Sequence, residues 1–416
     1  MNRKLVVPFV LAAMATLPGL VLRVAGVHLD PPLSALIPGV AILGASFLLL
    51  WACDAAQADI SQALALAIVA LIAVLPEYAV DMYFTWQAGQ NPQGDYAQYA
   101  IANMTGANRL LIGVAWGVIA AICLLRFRKD VRMERSRRTE LLFLGMATAY
   151  AFVVSLKGTL AWYDGLVFLG LFAWYIKLTG QRPREEGHVQ GPAELLVRLP
   201  AIHRRSITAA MFIFAAGVIL ANAQPFCEGL LSTGRAFHIN EFLLIQWLAP
   251  MASEAPEFTV AIIFAWRGQA NVALASLLSA KLNQWTLLVG MIPAVFAVSS
   301  HTLAYPIPMG NFQMQEILLT AAQSLLAVVL LASLRFSFAH ALLLFALFFG
   351  QLVLPSVAQA MPGGKILGIS AEQIHPVFTW LYVTSAVALF VQRPRRVLQL
   401  VEGFRVGKAD RALPQD

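Results

Sequence analysis

The sequence predicts an all-α polytopic membrane protein, built as an inverted repeat of two five-helix halves with one extra helix at each end. Three observations support this fold class: an apolar composition, Lys and Arg confined to alternate connections, and a repeated Pro-Glu segment. Hydrophobic residues make up 59% of the 416 residues and charged residues 12%, about half the roughly 25% of an average soluble chain. With a mean hydropathy of +0.71 and no long polar block, the composition excludes a soluble enzyme with one anchor and a disordered scaffold.

Twelve apolar runs are long enough to cross a bilayer, which takes roughly 17 to 25 residues. They lie near 5–27, 33–55, 59–87, 96–126, 139–156, 159–180, 205–224, 238–267, 271–297, 315–334, 337–360 and 373–392. Only helices satisfy the backbone in such runs, because the alternating period of barrel strands is absent. We interpret the first run as a retained helix, since no small-x-small cleavage site precedes a soluble region. The three cysteines are widely spaced and indicate neither a disulfide framework nor a metal knuckle.

The positive charge is distributed in a way that predicts the topology. With the amino terminus in the cytoplasm, 23 of the 29 Lys and Arg residues fall in inside segments, three in outside connections and three within spans. Both termini are therefore predicted to be cytoplasmic, in the inner membrane of the cell. The basic connections 126–138 and 177–205 are topology signals and contacts for anionic lipid, and no nucleic-acid partner is expected.

An internal repeat is the strongest pattern in the sequence. Residues 75–89 read LPEYAVDMYFTWQAG, and residues 255–268 read APEFTVAIIFAWRG, at an offset of 180. A second apolar helix follows each copy, at 99–117 and 272–290, at an offset of 173. Each Pro-Glu helix is the second of five spans in its half, and an odd number of spans per half inverts the second half. Inverted repeats that meet at the membrane midplane are the general plan of secondary transporters.

The repeat divides the chain into five predicted parts. These are an extra helix at 1–32, the first five-helix repeat at 33–180, a basic cytoplasmic linker at 181–204, the inverted second repeat at 205–360, and a final helix with a basic tail at 361–416.

The two Pro-Glu glutamates, Glu77 and Glu257, carry the functional prediction. A carboxylate in mid-membrane costs about 2.5 to 3.5 kcal/mol on insertion scales, so it needs a compensating partner. The preceding proline frees a backbone carbonyl one turn earlier, and carbonyls beside carboxylates suit hard cations such as Ca²⁺ and Na⁺, or protons. The alternative is that each glutamate is a packing residue bonded to a neighbouring polar side chain; the matched positions of the pair favour function.

Further polar residues lie on the same helices and on the helices that follow them. Candidate oxygen ligands are Asp81, Ser253, Glu254, Asn103, Asn108 and Gln284. Arg109 and Lys281 lie in the middle of the two partner helices, where they modulate the charge of the site. Four acids against these two bases leave a formal charge of −2, which suits one divalent cation. We hypothesise that the Lys281 ammonium fills one cation position; a structural salt bridge to Glu254 or Glu257 is the alternative.

These segments resemble the α-repeats of the cation/Ca²⁺ exchanger superfamily, the sodium/calcium exchanger membrane region. Its repeats have the form Thr-Ser-Leu-Pro-Glu, followed by a helix with Gly-Asn-x-x-Gly-Ser-Asn-x-x-Asn/Asp. The resemblance covers roughly 33–360 and implies that Glu77 and Glu257 coordinate Ca²⁺ and Na⁺. Asn103 and Gly106 match the first helix motif, and Asn108 falls on its second asparagine. The chain departs from the pattern at Ala73, Val74, Ser253, Glu254, Ala107, Ala280, Leu111, Gln284 and Lys281.

We therefore expect a secondary-active cation antiporter of the sodium/calcium exchanger type, working by alternating access around a midplane site. The alternative is a cation/proton antiporter, for Ca²⁺/H⁺ or Na⁺/H⁺, in which Glu77, Asp81 or Glu254 carries the proton, or a divergent relative with altered or lost transport. We expect a transporter and not an enzyme. Alternating exposure of one site needs no nucleotide or organic cofactor, which agrees with the lack of a P-loop, and the expected partners are inorganic cations and the lipid bilayer. An intramembrane hydrolase using Glu254, Glu257 and His340 would need a second intramembrane His or an HExxH-like pair, which the sequence lacks. Charges buried in the membrane also argue against a non-transporting scaffold.

Overall fold

The computed structural model describes residues 3–26, 29–59, 74–180, 191–303 and 305–404. Within these ranges the chain is a bundle of long helices. They are α1 (Arg3–Ala25), α2 (Pro31–Ala56), α3 (Leu75–Gln90), α4 (Tyr96–Phe127), α5 (Arg138–Lys157), α6 (Trp162–Thr179), α7 (Ala201–Phe237), α8 (Glu241–Trp266), α9 (Ala270–Ser299), α10 (Asn311–Leu331), α11 (Phe338–Ala360) and α12 (Ala371–Gln392). All but α3 and α6 are long and apolar enough to cross a membrane, which gives ten candidate spans among the described residues. The predicted all-α polytopic class is confirmed, whereas the count of twelve spans stays a prediction.

Strands are short in the described part of the chain. β1 (Val131–Arg132) pairs antiparallel with β2 (Arg335–Phe336), and β3 (Lys365–Ile366) pairs with β4 (Ile369–Ser370). Each strand has two residues and lies in a connection between helices, so the strands tie connections together and form no sheet of their own.

The boundaries of two predicted spans need comment. The apolar run at 205–224 was predicted to end before a connection, but α7 continues through Pro225 to Phe237. A proline inside a membrane helix is tolerated where neighbouring groups satisfy the freed backbone. This extension places residues such as Glu228 on a helix instead of in a loop. For the run at 59–87, residues 60–73 lie outside the described part of the chain.

The helices pack in the pattern that a twofold repeat requires. If α2 to α6 correspond in order to α7 to α11, then α2 packs on its own counterpart α7, and α5 packs on α10. The contact of α3 with α9 corresponds to that of α8 with α4, and the contact of α6 with α9 corresponds to that of α11 with α4. The predicted repeat is thus a repeat of tertiary structure. The terminal helices lie outside it: α1 packs on α2, and α12 packs on α10 and α11.

Contacts between connections divide them into the two groups predicted from the charges. On one face, Arg335 forms an ion pair with Asp130 at 2.6 Å beside the β1–β2 pair, and Arg138 forms one with Glu402. On the opposite face, Leu160 and Ile307 form an isolated β-bridge. We call these the basic face and the outer face.

The basic face also holds a charged cluster at the start of α7. Asp59, after α2, accepts hydrogen bonds from Arg204 at 2.6 and 2.7 Å and from Arg205 at 3.0 Å. These hydrogen bonds lower the pKa of Asp59 to about 2.

One local feature repeats in the central helices α4 and α9. Each contains a five-residue π-helical segment, Leu111–Ala115 in α4 and Gln284–Leu288 in α9, and the second begins 173 residues after the first. That is the offset predicted from the sequence. Such π segments are frequent at functional sites. Gly106, just before the first segment, lies against the backbone of Gln246 in α8, where an added Cβ would come within 1.8 Å of the carbonyl oxygen.

Candidate ion-binding site

The two Pro-Glu segments lie in different local structures. Helix α3 begins at Leu75, so Glu77 sits in its first turn. Helix α8 continues unbroken through Pro250 and Pro256 to Trp266. Because a proline has no N–H, Pro256 leaves a carbonyl of the preceding turn without its helical donor. The repeat therefore supplies one carboxyl group from a helix end and another from a helix interior.

The carboxyl groups of Glu77 and Glu254 are in direct contact, within hydrogen-bonding range of each other. Both side chains are buried, at 2% and 3% exposure. No N–H or O–H group of the described residues donates to either oxygen of Glu77 or to Oε2 of Glu254. Two acceptor groups thus face each other in the interior with no hydrogen-bond donor from the described residues between them.

The resemblance implied that Glu257 would be the partner of Glu77, but Glu254, one turn earlier, is the residue in contact. Glu257 is half-buried and close enough to interact electrostatically with Glu77. The two acids are three residues apart, about 60° around the helix, so the rotation of α8 decides which one faces α3. Glu257 lies beside the contact pair, on the side where Cys53 of α2 is near it.

Asp81 extends the acidic surface by one turn of α3. Its Oδ1 accepts a hydrogen bond from Asn103 Nδ2 of α4 at 2.7 Å, and both side chains are fully buried. Asp81 Oδ2 and Asn103 Oδ1 have no donor among the described residues. These two predicted ligands are therefore brought together, each with an oxygen that is open to a cation.

Gln284 and Ser253 flank Glu254. Gln284, the first residue of the π segment in α9, donates its Nε2 to Glu254, and its Oε1 has no donor in the described part of the chain. Ser253 donates its hydroxyl to backbone carbonyls of its own helix at 3.3 Å. The Gln284 amide thus holds the Glu254 carboxyl and presents an oxygen beside it.

Lys281 is fully buried next to this group. Its Nζ donates to Asn108 Oδ1 at 2.6 Å and lies 4.4 Å from the centre of the Trp285 ring. Among the residues that the structure describes, Lys281 forms no ion pair with Glu254 or Glu257, which removes the salt-bridge alternative. Asn108 uses its other end to donate to the carbonyl of Met104 at 2.7 Å, so it positions the ammonium instead of offering a free ligand.

Arg109 points away from the carboxyl cluster. It forms a buried ion pair with Glu316 of α10 and lies over the Trp247 ring at 5.3 Å. Glu316 was not among the predicted residues, and it neutralises Arg109. The central group therefore has four acids and one base, a formal charge of −3 instead of the −2 expected from the sequence.

In this conformation, no three His, Cys, Asp or Glu side chains of the described residues converge closely enough to hold a metal ion. His340, considered for a hydrolytic metal site, accepts a backbone hydrogen bond from Ser337 at 3.4 Å and packs against Phe336. It is part of the start of α11.

Two further acids near the cluster were missed. Cys53 and Asp54 end α2, and Cys227 and Glu228 lie 174 residues later in α7. Glu228 accepts hydrogen bonds from Tyr83 and, at 3.1 Å, from Tyr96. The repeated Cys-acid dipeptide could have indicated these two acids from the sequence. The predicted spans place the first copy at the end of a span and the second in a connection.

Comparisons with known proteins agree with this geometry. The family model for sodium/calcium exchanger proteins matches residues 33–179 and 207–357, once in each repeat. The crystal structure of the H⁺/Ca²⁺ exchanger CAX is similar to the chain at 39% sequence identity and a TM-score of 0.89, covering 99% of this chain and 100% of that one. A structure of the sodium-calcium exchanger NCX_Mj is 18% identical with a TM-score of 0.50, covering 80% of this chain and 99% of that one, and shares the fold.

Comparison with curated protein sequences gives no match. The family assignment therefore rests on the match of the family model to both repeats and on the 39% identity over almost the whole chain. The chain belongs to the sodium/calcium exchanger protein family.

Proposed function

We propose that this cation antiporter exchanges Ca²⁺ for protons, with Glu77 and Glu254 as the groups that bind either one. The observation that carries the proposal is the direct contact of these two buried carboxyl groups, with no donor between them in the part of the chain that the structure describes. The 39% identity to an H⁺/Ca²⁺ exchanger supports the same coupling.

The chemistry follows from electrostatics. Two carboxylates in contact in a low-dielectric interior do not both stay ionised, so they share a proton or bind a cation. A shared proton and a Ca²⁺ ion need the same oxygens and therefore exclude each other. Exclusive binding at one site that opens to the two sides in turn is the condition for antiport.

The ligands for Ca²⁺ come from four helices. Ca²⁺ takes six to eight oxygens at about 2.3 to 2.6 Å. Candidates are Glu77, Asp81, Asn103, Ser253, Glu254, Glu257 and Gln284. Since the acids do not converge on one point in this conformation, we infer that Ca²⁺ draws Glu257 or Asp81 towards the Glu77–Glu254 pair. The ion gradient drives the cycle, and no organic cofactor is needed.

Sodium coupling is the second candidate, because the repeat motifs resemble those of sodium/calcium exchangers. The position of Lys281 favours protons. Its ammonium, with Asn108 and Trp285, already supplies one positive charge inside the ligand cluster. The ammonium therefore already balances part of the negative charge, and occupies part of the space, that a sodium ion would use.

We further propose that the basic face is cytoplasmic and that the protein lies in the inner membrane with both termini inside. The excess of Lys and Arg on that face supports this orientation. Exposed apolar side chains on α1, including Leu11, Met14 and Val21, fit contact with lipid tails.

Flux into proteoliposomes tests the function. Wild-type protein should move Ca²⁺ when a pH gradient is imposed in sodium-free buffer, and it should acidify or alkalinise the lumen in return. Glu77→Gln and Glu254→Gln should reduce flux to the level of protein-free liposomes, whereas Glu194→Gln, an exposed carboxyl on a short helix, should not. Ca²⁺ movement that depends on a sodium gradient and not on pH would contradict proton coupling. Full activity in Glu254→Gln would contradict the assigned site.

A further inference from the structure

A second buried charge cluster lies apart from the carboxyl pair, at the outer ends of α10 and α12. Glu316 of α10 is fully buried between the Arg109 guanidinium and the His375 imidazole. Its Oε2 pairs with Arg109 and accepts from Gln246 Nε2 at 2.5 Å, and its Oε1 lies 2.7 Å from Nδ1 of His375. The cluster joins four helices that are far apart in the sequence, and α12 contributes the histidine.

The cluster forms part of the wall of a large cavity at the outer face. The cavity has a volume of about 830 Å³ and is lined by residues of α4, α7, α8, α10, α11 and α12. Arg109, Gln246 and His375 all contribute to its lining, as do residues of the connection between α7 and α8. His375 has 17% of its side chain exposed, whereas Glu316 has none. Water on the outer side can therefore reach the imidazole but not the carboxylate.

The contact fixes the chemistry of the imidazole. Because Glu316 has only acceptor oxygens, Nδ1 of His375 must carry the hydrogen, and an added proton binds at Nε2. Imidazole is the side chain that gains or loses charge between about pH 5 and 8. Five other ionisable groups line the cavity: Glu372 on the turn of α12 that holds His375, Glu241 of α8, Tyr99 of α4, Arg235 of α7 and His238 after it. Helix α11 contributes only uncharged residues to the lining.

We propose that His375 is a proton-binding site on the outer side, separate from the central carboxyl pair and linked to it electrostatically through Glu316 and Arg109. When His375 is protonated, two positive groups face the single negative charge of Glu316. The positive charge of the Arg109 guanidinium is then less well neutralised. Arg109 follows Asn108, which holds Lys281, and Arg109 and Lys281 repel each other. Added positive charge there weakens cation binding at the central site, so protons from outside favour release of Ca²⁺ on that side. This consequence rests on the function proposed above.

The inference gives a role to a helix that the repeats do not require. The family-model match ends at residue 357, before α12 begins. Helix α12 brings the His375 imidazole to the Arg109–Glu316 ion pair inside the repeats. A helix that only covered the bundle would not need a titratable group at that position.

The test is a histidine NMR titration of the full-length protein in detergent, with ring carbons labelled. The His375 resonance is assigned from its loss in His375→Gln. The matched control is His238→Asn, which removes another cavity histidine without touching Glu316; asparagine tolerates the positive φ of 55° at that position. If His375→Gln does not fold, assignment by elimination replaces it, with variants of the other six histidines, His28, His188, His203, His238, His301 and His340.

We expect saturating Ca²⁺ to move the His375 titration to lower pH by roughly half a unit or more, because linkage is reciprocal. Lys281→Gln removes the positive charge that Arg109 faces and should move the titration to higher pH without any Ca²⁺. His238 should show neither response. A His375 that takes up no proton, or whose titration ignores Lys281→Gln, overturns the proposal. A wild-type protein that binds no Ca²⁺ would refute the proposed function instead, since the Lys281→Gln comparison needs no Ca²⁺.

Discussion

The ion pair of Arg109 and Glu316 gives the sharpest stability prediction, because both side chains are almost completely buried, at 1% and 0% exposure. Glu316→Gln keeps the shape of the side chain but leaves the guanidinium without a counter-charge. Removing one partner of a buried ion pair costs about 3 to 5 kcal/mol. The Trp247 ring, 5.3 Å from the guanidinium, offsets about 1 kcal/mol of that loss. We therefore expect a net loss of about 2 to 4 kcal/mol, or roughly 2 to 5 °C in melting temperature for a chain of this length.

The double variant, Arg109→Gln with Glu316→Gln, removes both charges. Its free energy of unfolding should lie within about 1 kcal/mol of the wild-type value. The chain supplies its own probe: Cys53, Cys123 and Cys227 are free, buried thiols that react with a thiol dye only on unfolding. Melting of the wild type, both single variants and the double variant in detergent completes a double-mutant cycle. A Glu316→Gln protein with the wild-type melting temperature would refute the reasoning. A double variant that is less stable than either single variant would also refute it.

Three further predictions concern other sites. Lys281→Gln removes the positive charge beside the carboxyl pair, so we expect tighter Ca²⁺ binding and one more cation charge moved per cycle, measured as charge translocated in proteoliposomes; unchanged stoichiometry would remove the tethered-cation hypothesis. Asp59, whose folded pKa of about 2 lies below the ordinary value of 3.8, adds stability above about pH 4 that is lost as pH falls through 2. Asp59→Asn should therefore lower the melting temperature at pH 7 and reduce the decrease in melting temperature as the pH falls below 4. If the melting temperatures of both proteins decrease equally with pH, the ion pair with Arg204 contributes nothing to stability. Gly106→Ala places a methyl group 1.8 Å from the Gln246 carbonyl oxygen, so α4 and α8 must separate and the protein should melt several degrees lower; wild-type stability would show that the helices do not cross so closely.

The repeat and the division of the connections between two faces were predictable because both depend on local patterns. Apolar runs, charged connections and the Pro-Glu frame each lie within a short stretch of sequence, and the offset of 173 between the central helices reappears in their π segments. Asp81 and Asn103 were also predictable as a pair, since they lie on adjacent helices of one repeat.

The choice between Glu254 and Glu257 was not predictable. The two acids are one turn apart, and a rotation of α8 by about 60° exchanges their positions. That rotation depends on packing, including the close contact of Gly106 with Gln246. The partner of Arg109 was missed for a related reason: Glu316 lies near the start of α10, some two hundred residues away, and no local pattern links the two.

The central claim is that Glu77 and Glu254 hold a proton that Ca²⁺ displaces. The most direct measurement is the number of protons released per Ca²⁺ bound, obtained by calorimetric titration of the purified protein in two buffers that differ in ionisation enthalpy. The account predicts about one proton or more released by the wild type at neutral pH, and clearly fewer by Glu254→Gln. Tight Ca²⁺ binding by the wild type with no proton release would contradict it.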